Sequence, residues 1–231
     1  MIWVIFILEF FVLFVTSGFL FKSLFALLHF VFHSQKIAIF LLSVFFFPGV
    51  FIHEMSHLLI AELLRVRTHG IEFMPELSGT SLKMGSVKVE KSDILRSLLI
   101  GIAPLVVGSA ILSVSLLILG NIYTYSQIFS SVQSVLITIL IGVLIFIITN
   151  TMFSSKTDVE GLAEVLVVVG IIIGAIYFIG LRPHEWLLPI LLNIKILTVV
   201  QKIDWLMSVP VAINILVVFV SMPLLKKLRF V

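Results

Sequence analysis

The chain has 231 residues, 61% of them hydrophobic and only 12% charged, with a mean hydropathy of +1.28. That apolar share exceeds the roughly 45–50% of ordinary globular domains and points to a polytopic membrane protein. The absence of cysteine excludes disulfides and thiolate metal sites. The net charge of +3 comes from basic residues scattered between apolar runs, so no nucleic-acid partner is expected.

Ile2 to Phe21 is a first apolar run, interrupted only by Glu9; Lys22 and a second apolar piece, Ser23 to Phe32, follow. One untilted span needs about 20 residues, so these pieces predict a span and then an interfacial or re-entrant segment. The run lacks a basic leading region and a small-residue cleavage site, which favours a retained span over a signal peptide. Ile37 to Leu64 is the second span. Arg65 to Asp93 is polar and punctuated by Gly70, Pro75, Gly79 and Gly85. Within it, Ser86 to Glu90 alternates polar and apolar residues, and Val66 to Phe73 does so less cleanly. The pair predicts a small β element, with Pro75 to Thr80 in its connection.

Ile94 to Leu119 is the third span and contains Gly101, Pro104 and Gly108. Gly120 to Gln133 is a polar loop. Ser134 to Met152 is the fourth span, ending in Asn150. After a polar break at Phe153 to Thr157, Val159 to Leu181 is the fifth, with Glu160 and Glu164 near its start. Arg182 to Gln201 reads as a loop with a short interfacial helix, and Ile203 to Leu224 as the sixth span. The expected fold is an all-α polytopic membrane protein of about six transmembrane helices. The small β element lies between the second and third spans, and one domain covers 1–231 around a core at 37–181. With both termini inside, ten of the fifteen basic residues fall on inner segments and five on outer ones. That bias predicts a cytoplasmic position for the termini, the β element and Lys156, in a cell membrane.

Polar residues inside spans cost roughly 2.5–3.5 kcal/mol when charged and mark functional positions. The second span holds His53, Glu54 and His57 in the run HEMSH. Histidines four apart on a helix lie about 40° apart around its axis, one turn above each other, so both can reach one metal ion. Glu54 follows the first histidine and can address water on that metal, the arrangement of zinc hydrolases. Two histidines leave a catalytic zinc one protein ligand short. Asp158, Glu160 and Glu164 are the candidates at similar depth. Glu62 is a weaker one, rotated away on the same helix. His29, His33, His69 and His184 read as interfacial. Asp158 also suits a helix cap, and Asn150 a helix C-terminus.

Three features together resemble the site-2-type intramembrane metalloproteases. HEMSH lies in a span after Pro48-Gly49. Gly101-Ile102-Ala103-Pro104 is similar to the family's Gly-Pro-containing core helix. Asn150 precedes Asp158 by eight residues in NTMFSSKTDVEG, the family's spacing between an asparagine and an aspartate ligand. The resemblance covers roughly Ile37 to Leu181. It implies an intramembrane zinc endopeptidase with ligands His53, His57 and Asp158, Glu54 as general base and Asn150 positioning substrate. The chain departs from the pattern at Phe153, where the family has proline, and at Val159, where it has glycine; Gly161 comes two positions late. Met55-Ser56 stands where small or glycine residues are frequent. Val107 and Gly108 occupy the region of an asparagine that often follows Gly-Pro.

The expected partners are a single-span membrane protein or signal-peptide remnant as substrate, and the lipid bilayer. An exposed edge of the β element would bind an unwound substrate by strand addition. The alternative is a non-proteolytic zinc-binding membrane protein with a regulatory or binding role. A transporter reading leaves the HExxH spacing unexplained. A prenyl-protein-type zinc protease should need more spans and a downstream glutamate ligand.

Overall fold

A computed structural model describes residues 2–72, 76–78, 81–83, 85–90, 92–122, 131–152, 167–168 and 170–228. The described chain is mostly helical, and five of its helices are long and apolar enough to cross a membrane. This is the architecture of an integral membrane protein, because an α-helix satisfies its backbone polar groups internally where no water can.

α1 runs unbroken from Ile2 to Phe32. The expected division at Lys22 into a span and an interfacial piece is therefore corrected. Lys22 is exposed on a continuous helix, and a single lysine does not break backbone hydrogen bonding, since its stem can carry the charge outward. At 1.5 Å per residue α1 is about 46 Å long, longer than the roughly 30 Å hydrocarbon core. It ends where His33 enters the left-handed region at φ 52. Ser34 then caps α2, Gln35–Leu63, its hydroxyl accepting from the Ile37 amide at 3.4 Å.

α2 closes with a Schellman motif built on a non-glycine residue. Arg65 takes φ 57, the Val66 amide donates to the Ala61 carbonyl at 2.8 Å, and the Arg65 amide donates to Glu62 at 3.0 Å. The hydrophobic contact of that motif joins Ala61 and Val66, and both pack on Ile100 of the next spanning helix.

Between them the chain makes two antiparallel ladders. β1, Thr68–Glu72, pairs with β4, Ser86–Val89. The register advances three residues on β1 against two on β4 between Thr68 and Ile71, a bulge that includes Gly70 at φ 122. The bulge is why alternation in Val66 to Phe73 is imperfect. The connection, expected to include Pro75 to Thr80, is itself structured: β2, Glu76–Ser78, pairs with β3, Ser81–Lys83.

α3, Ile94–Ile122, and α4, Val132–Thr151, are the next spanning helices. The expected fifth span, Val159 to Leu181, lies partly outside the described residues; within it, residues 170–178 are helical. The short helix expected after Arg182 is α5, Pro183–Leu191. α6 begins at Ile194, nine residues before the expected Ile203, and runs to Leu228. The cause is an N-cap: the Asn193 carboxamide oxygen accepts from the Lys195 amide at 3.0 Å.

α1 and α6 pack along each other, while α2 meets both α3 and α4. Phe21, Phe25, Leu42, Phe46 and Ile147 form one core, joining α1, α2 and α4; Leu112, Ile148 and Met152 form another, joining α3 and α4. Hydrocarbon gives no solvent drive between helices, so close approach decides such contacts. A Cβ on Gly49 would strike the Thr151 hydroxyl and fall 2.7 Å from Ile147, and one on Gly108 would fall 2.6 Å from Met152. Both glycines thus let α2 and α3 close on the last turn of α4.

Candidate metal centre

The three residues of the HEMSH run lie where α2 is enclosed by α3, α4 and the sheet. His53, Glu54 and His57 are 2%, 3% and 8% exposed. The imidazoles stand edge to face, centroids 4.8 Å apart at 83°, with their Nε2 atoms 3.2 Å apart. His57 Nδ1 lies 2.8 Å from the Ile100 carbonyl oxygen. A carbonyl only accepts, so Nδ1 carries the proton and His57 Nε2 presents a lone pair toward His53. Ser56, within the same run, is satisfied inside the helix, its hydroxyl donating to the His53 carbonyl at 2.6 Å.

The nitrogen pair fits a zinc ion. Two ligands at about 2.0–2.1 Å on a tetrahedral zinc lie about 3.3 Å apart, against the 3.2 Å found here. The donor set also suits zinc, with neutral imidazoles and one ring oriented by a backbone carbonyl through its other nitrogen. Beside the pair, Gly49, Ile52, Pro104, Gly108, Ile148, Thr151 and Met152 line a small cleft with His53. It measures about 10 Å³, room for roughly one water.

Glu54 is covered from the sheet side. A Cβ on Gly85, just before β4, would fall 3.0 Å from Glu54 Oε1 and 2.9 Å from Val50. The β element therefore reaches the carboxylate, and only a residue without a side chain lets it come so near.

Asp158, Glu160 and Glu164 lie outside the described residues. Among the described residues no third histidine, aspartate or glutamate joins the pair. Glu62, His33, His69 and His184 are exposed; His184 stacks on Tyr177, and His29 stacks on Phe25.

Asn150 is fully buried one residue before the end of α4. Its Nδ2 donates to the Phe146 carbonyl at 2.9 Å, and its Oδ1 accepts from Asn214 Nδ2 of α6 at 2.7 Å. Asn214 Nδ2 also reaches the Thr16 hydroxyl of α1 at 3.3 Å, and Thr16 donates to Leu13 at 3.2 Å. Backbone carbonyls at both ends fix the direction of this chain and hence both amide orientations. The neighbours Ile148, Thr151 and Met152 line the cleft, whereas Asn150 faces α6.

Two participants escaped sequence reasoning. Asn214 carried a signal, a carboxamide in the middle of an apolar span, where polar groups are costly. The Ile100 carbonyl has no residue type of its own, and its one signal, the proline four residues on, does not say which donor it meets.

Compared with family models, curated proteins and solved structures, the chain matches none of them.

Proposed function

We propose that this protein is an intramembrane zinc endopeptidase of the site-2 type, hydrolysing peptide bonds of transmembrane segments near the cytoplasmic face. The observation that carries the reading is the pair of Nε2 atoms at zinc-ligand separation, in one spanning helix with a buried glutamate between them in sequence. His53 and His57 would hold the metal, and Asp158 would complete the ligand set. When bound, zinc would lower the pKa of a coordinated water toward about 7 and polarise the substrate carbonyl.

Glu54 then moves the protons. It follows His53 on the buried face, takes a proton from the attacking water and returns it to the leaving amine. Its enclosure between α2 and Gly85 keeps bulk water from competing for that proton. Asn150, turned toward α6 and bonded to Asn214 and the Phe146 carbonyl, would act on the substrate only by bracing the last turn of α4. A transmembrane helix hides its carbonyls, so the substrate must be unwound before attack. The β element offers the means. β4 pairs with β1 and the sheet lies against α2, so an extended substrate segment would add to this sheet as a further strand beside the site. The substrates are single-span membrane proteins or signal-peptide remnants, and both termini of the enzyme are cytoplasmic in a cell membrane.

The test is cleavage of a single-span substrate by the purified chain in lipid vesicles. Wild type should cleave, a chelator should stop it, and zinc should restore it. Glu54→Gln should bind zinc normally and lose activity by about 10²–10⁴-fold. Zinc uptake without any cleavage by wild type would favour a regulatory zinc site instead.

A further inference from the structure

The partner of His57 is an interior helical carbonyl, of the kind whose first claim is the helix's own amide four residues on. In a spanning helix each carbonyl is taken by the amide four residues on, and lipid makes that pairing obligatory. The amide that would take Ile100 belongs to position 104. That position is proline, which has no N–H, inside an otherwise continuous α3. The freed carbonyl is the one lying 2.8 Å from His57 Nδ1.

The remaining prolines inside long helices provide a comparison. Pro48, Pro210 and Pro223 leave the carbonyls of Val44, Leu206 and Phe219 without their usual donors. Among the described residues, only the Ile100 carbonyl receives a side-chain donor. Apolar packing aims it: Ile100 is held against Ala61, one turn beyond His57 on α2, and Val66, just past the end of that helix.

We infer that Pro104 is a positioning residue for the metal, acting by deletion of an amide: it frees the Ile100 carbonyl to hold His57 with its proton on Nδ1 and its Nε2 lone pair toward His53. This rests on the metal-binding reading of the two histidines. The bond gives His57 a fixed ring plane and tautomer, the role that outer hydrogen bonds play for histidine ligands generally. A carbonyl has two lone pairs, so restoring an amide at position 104 weakens the bond to His57 without abolishing it.

The experiment compares two replacements that differ in one group. Pro104→Ala restores the N–H. Replacing Pro104 with lactic acid gives the same methyl side chain on an ester, again without N–H. Zinc affinity is read on the purified full chain by competition with a chelator, and the His57 tautomer by ring nitrogen NMR on metal-free protein. Pro104→Ala should weaken zinc about tenfold and move the His57 proton from Nδ1 toward Nε2. The lactic acid variant should retain wild-type affinity and tautomer. Equal zinc affinities and tautomers in the two variants would overturn the inference. If Pro104→Ala does not fold, the ester variant decides alone: wild-type affinity supports the inference and a tenfold loss overturns it. A wild type that binds no zinc defeats the metal reading, and the ring spectra still decide the role of Pro104.

Discussion

The middle of α2 and the end of α4 are the two halves of the proposed centre, and they are specified in different ways. In α2 the chemistry is local: His53, Glu54 and His57 are set by helical spacing alone, and neighbours refine them through one carbonyl and one glycine. The last turn of α4 is specified from outside. Gly49 lets α2 close on Thr151 and Ile147, Gly108 lets α3 close on Met152, and Asn214 of α6 holds Asn150. Three helices thus determine where the chain leaves α4 toward Asp158. Ligands on one helix need only the right period, whereas a ligand from another segment needs that segment to be braced.

The sharpest way to break this comparison is to remove the ligand assigned to the braced half. Asp158→Ala should lower zinc content severely, because two imidazoles alone hold the ion without its charge partner. Glu160→Ala should leave zinc near stoichiometric. Metal analysis of the purified variants decides. Normal zinc in Asp158→Ala with loss in Glu160→Ala moves the ligand two residues.

The same division explains what was legible beforehand. Apolar runs marked the five spanning helices among the described residues because lipid demands length and composition, and HEMSH stood out because its proposed ligands are neighbours in sequence. Less visible was whatever depended on a distant partner or a cap. Lys22 looked like a boundary, yet α1 passes through it, since one exposed charge does not interrupt helical hydrogen bonds. Asn193 capped α6 well ahead of the apolar core that marked the span. The bulge around Gly70 blurred the alternation of β1, and β2 with β3 was too short for a periodic signal. At the site, Ile100 contributes a backbone atom: Pro104 reports that its carbonyl lacks the helical amide, but no residue pattern reports that His57 is its partner.

A smaller effect tests how the sheet bears on the local half. Gly85 is held close to Glu54, and a side chain there must displace the carboxylate, Val50 or the sheet itself. Gly85→Val should lower kcat by about 10–100-fold, the scale of a misplacement near 1 Å. Zinc affinity should be unchanged, because the added Cβ first meets Val50 and Glu54 rather than an imidazole. Gly85→Ala should fall between, as its single Cβ meets Glu54 Oε1 at 3.0 Å and needs only a slight shift. Unchanged turnover in the valine variant would mean that Glu54 works in another position from the one seen here.

The smallest expected effect lies in the amide bridge that braces α4. Asn214→Leu keeps much of the volume and removes both donors, leaving Asn150 Oδ1 without that partner at a fully buried position. Interhelical polar contacts in membranes contribute only about 0.6–1.7 kcal/mol, so the protein should remain folded, with a modest loss on thermal or denaturant unfolding. The informative quantity is the coupling with Asn150→Leu. If the two amides act as one bridge, the double variant should lose less stability than the sum of the single ones, because each already forfeits the shared bond. Additive losses would mean that α6 holds α4 through packing alone. The braced half would then depend on the glycine contacts of α2 and α3, and the carboxamide in the last span would need another role.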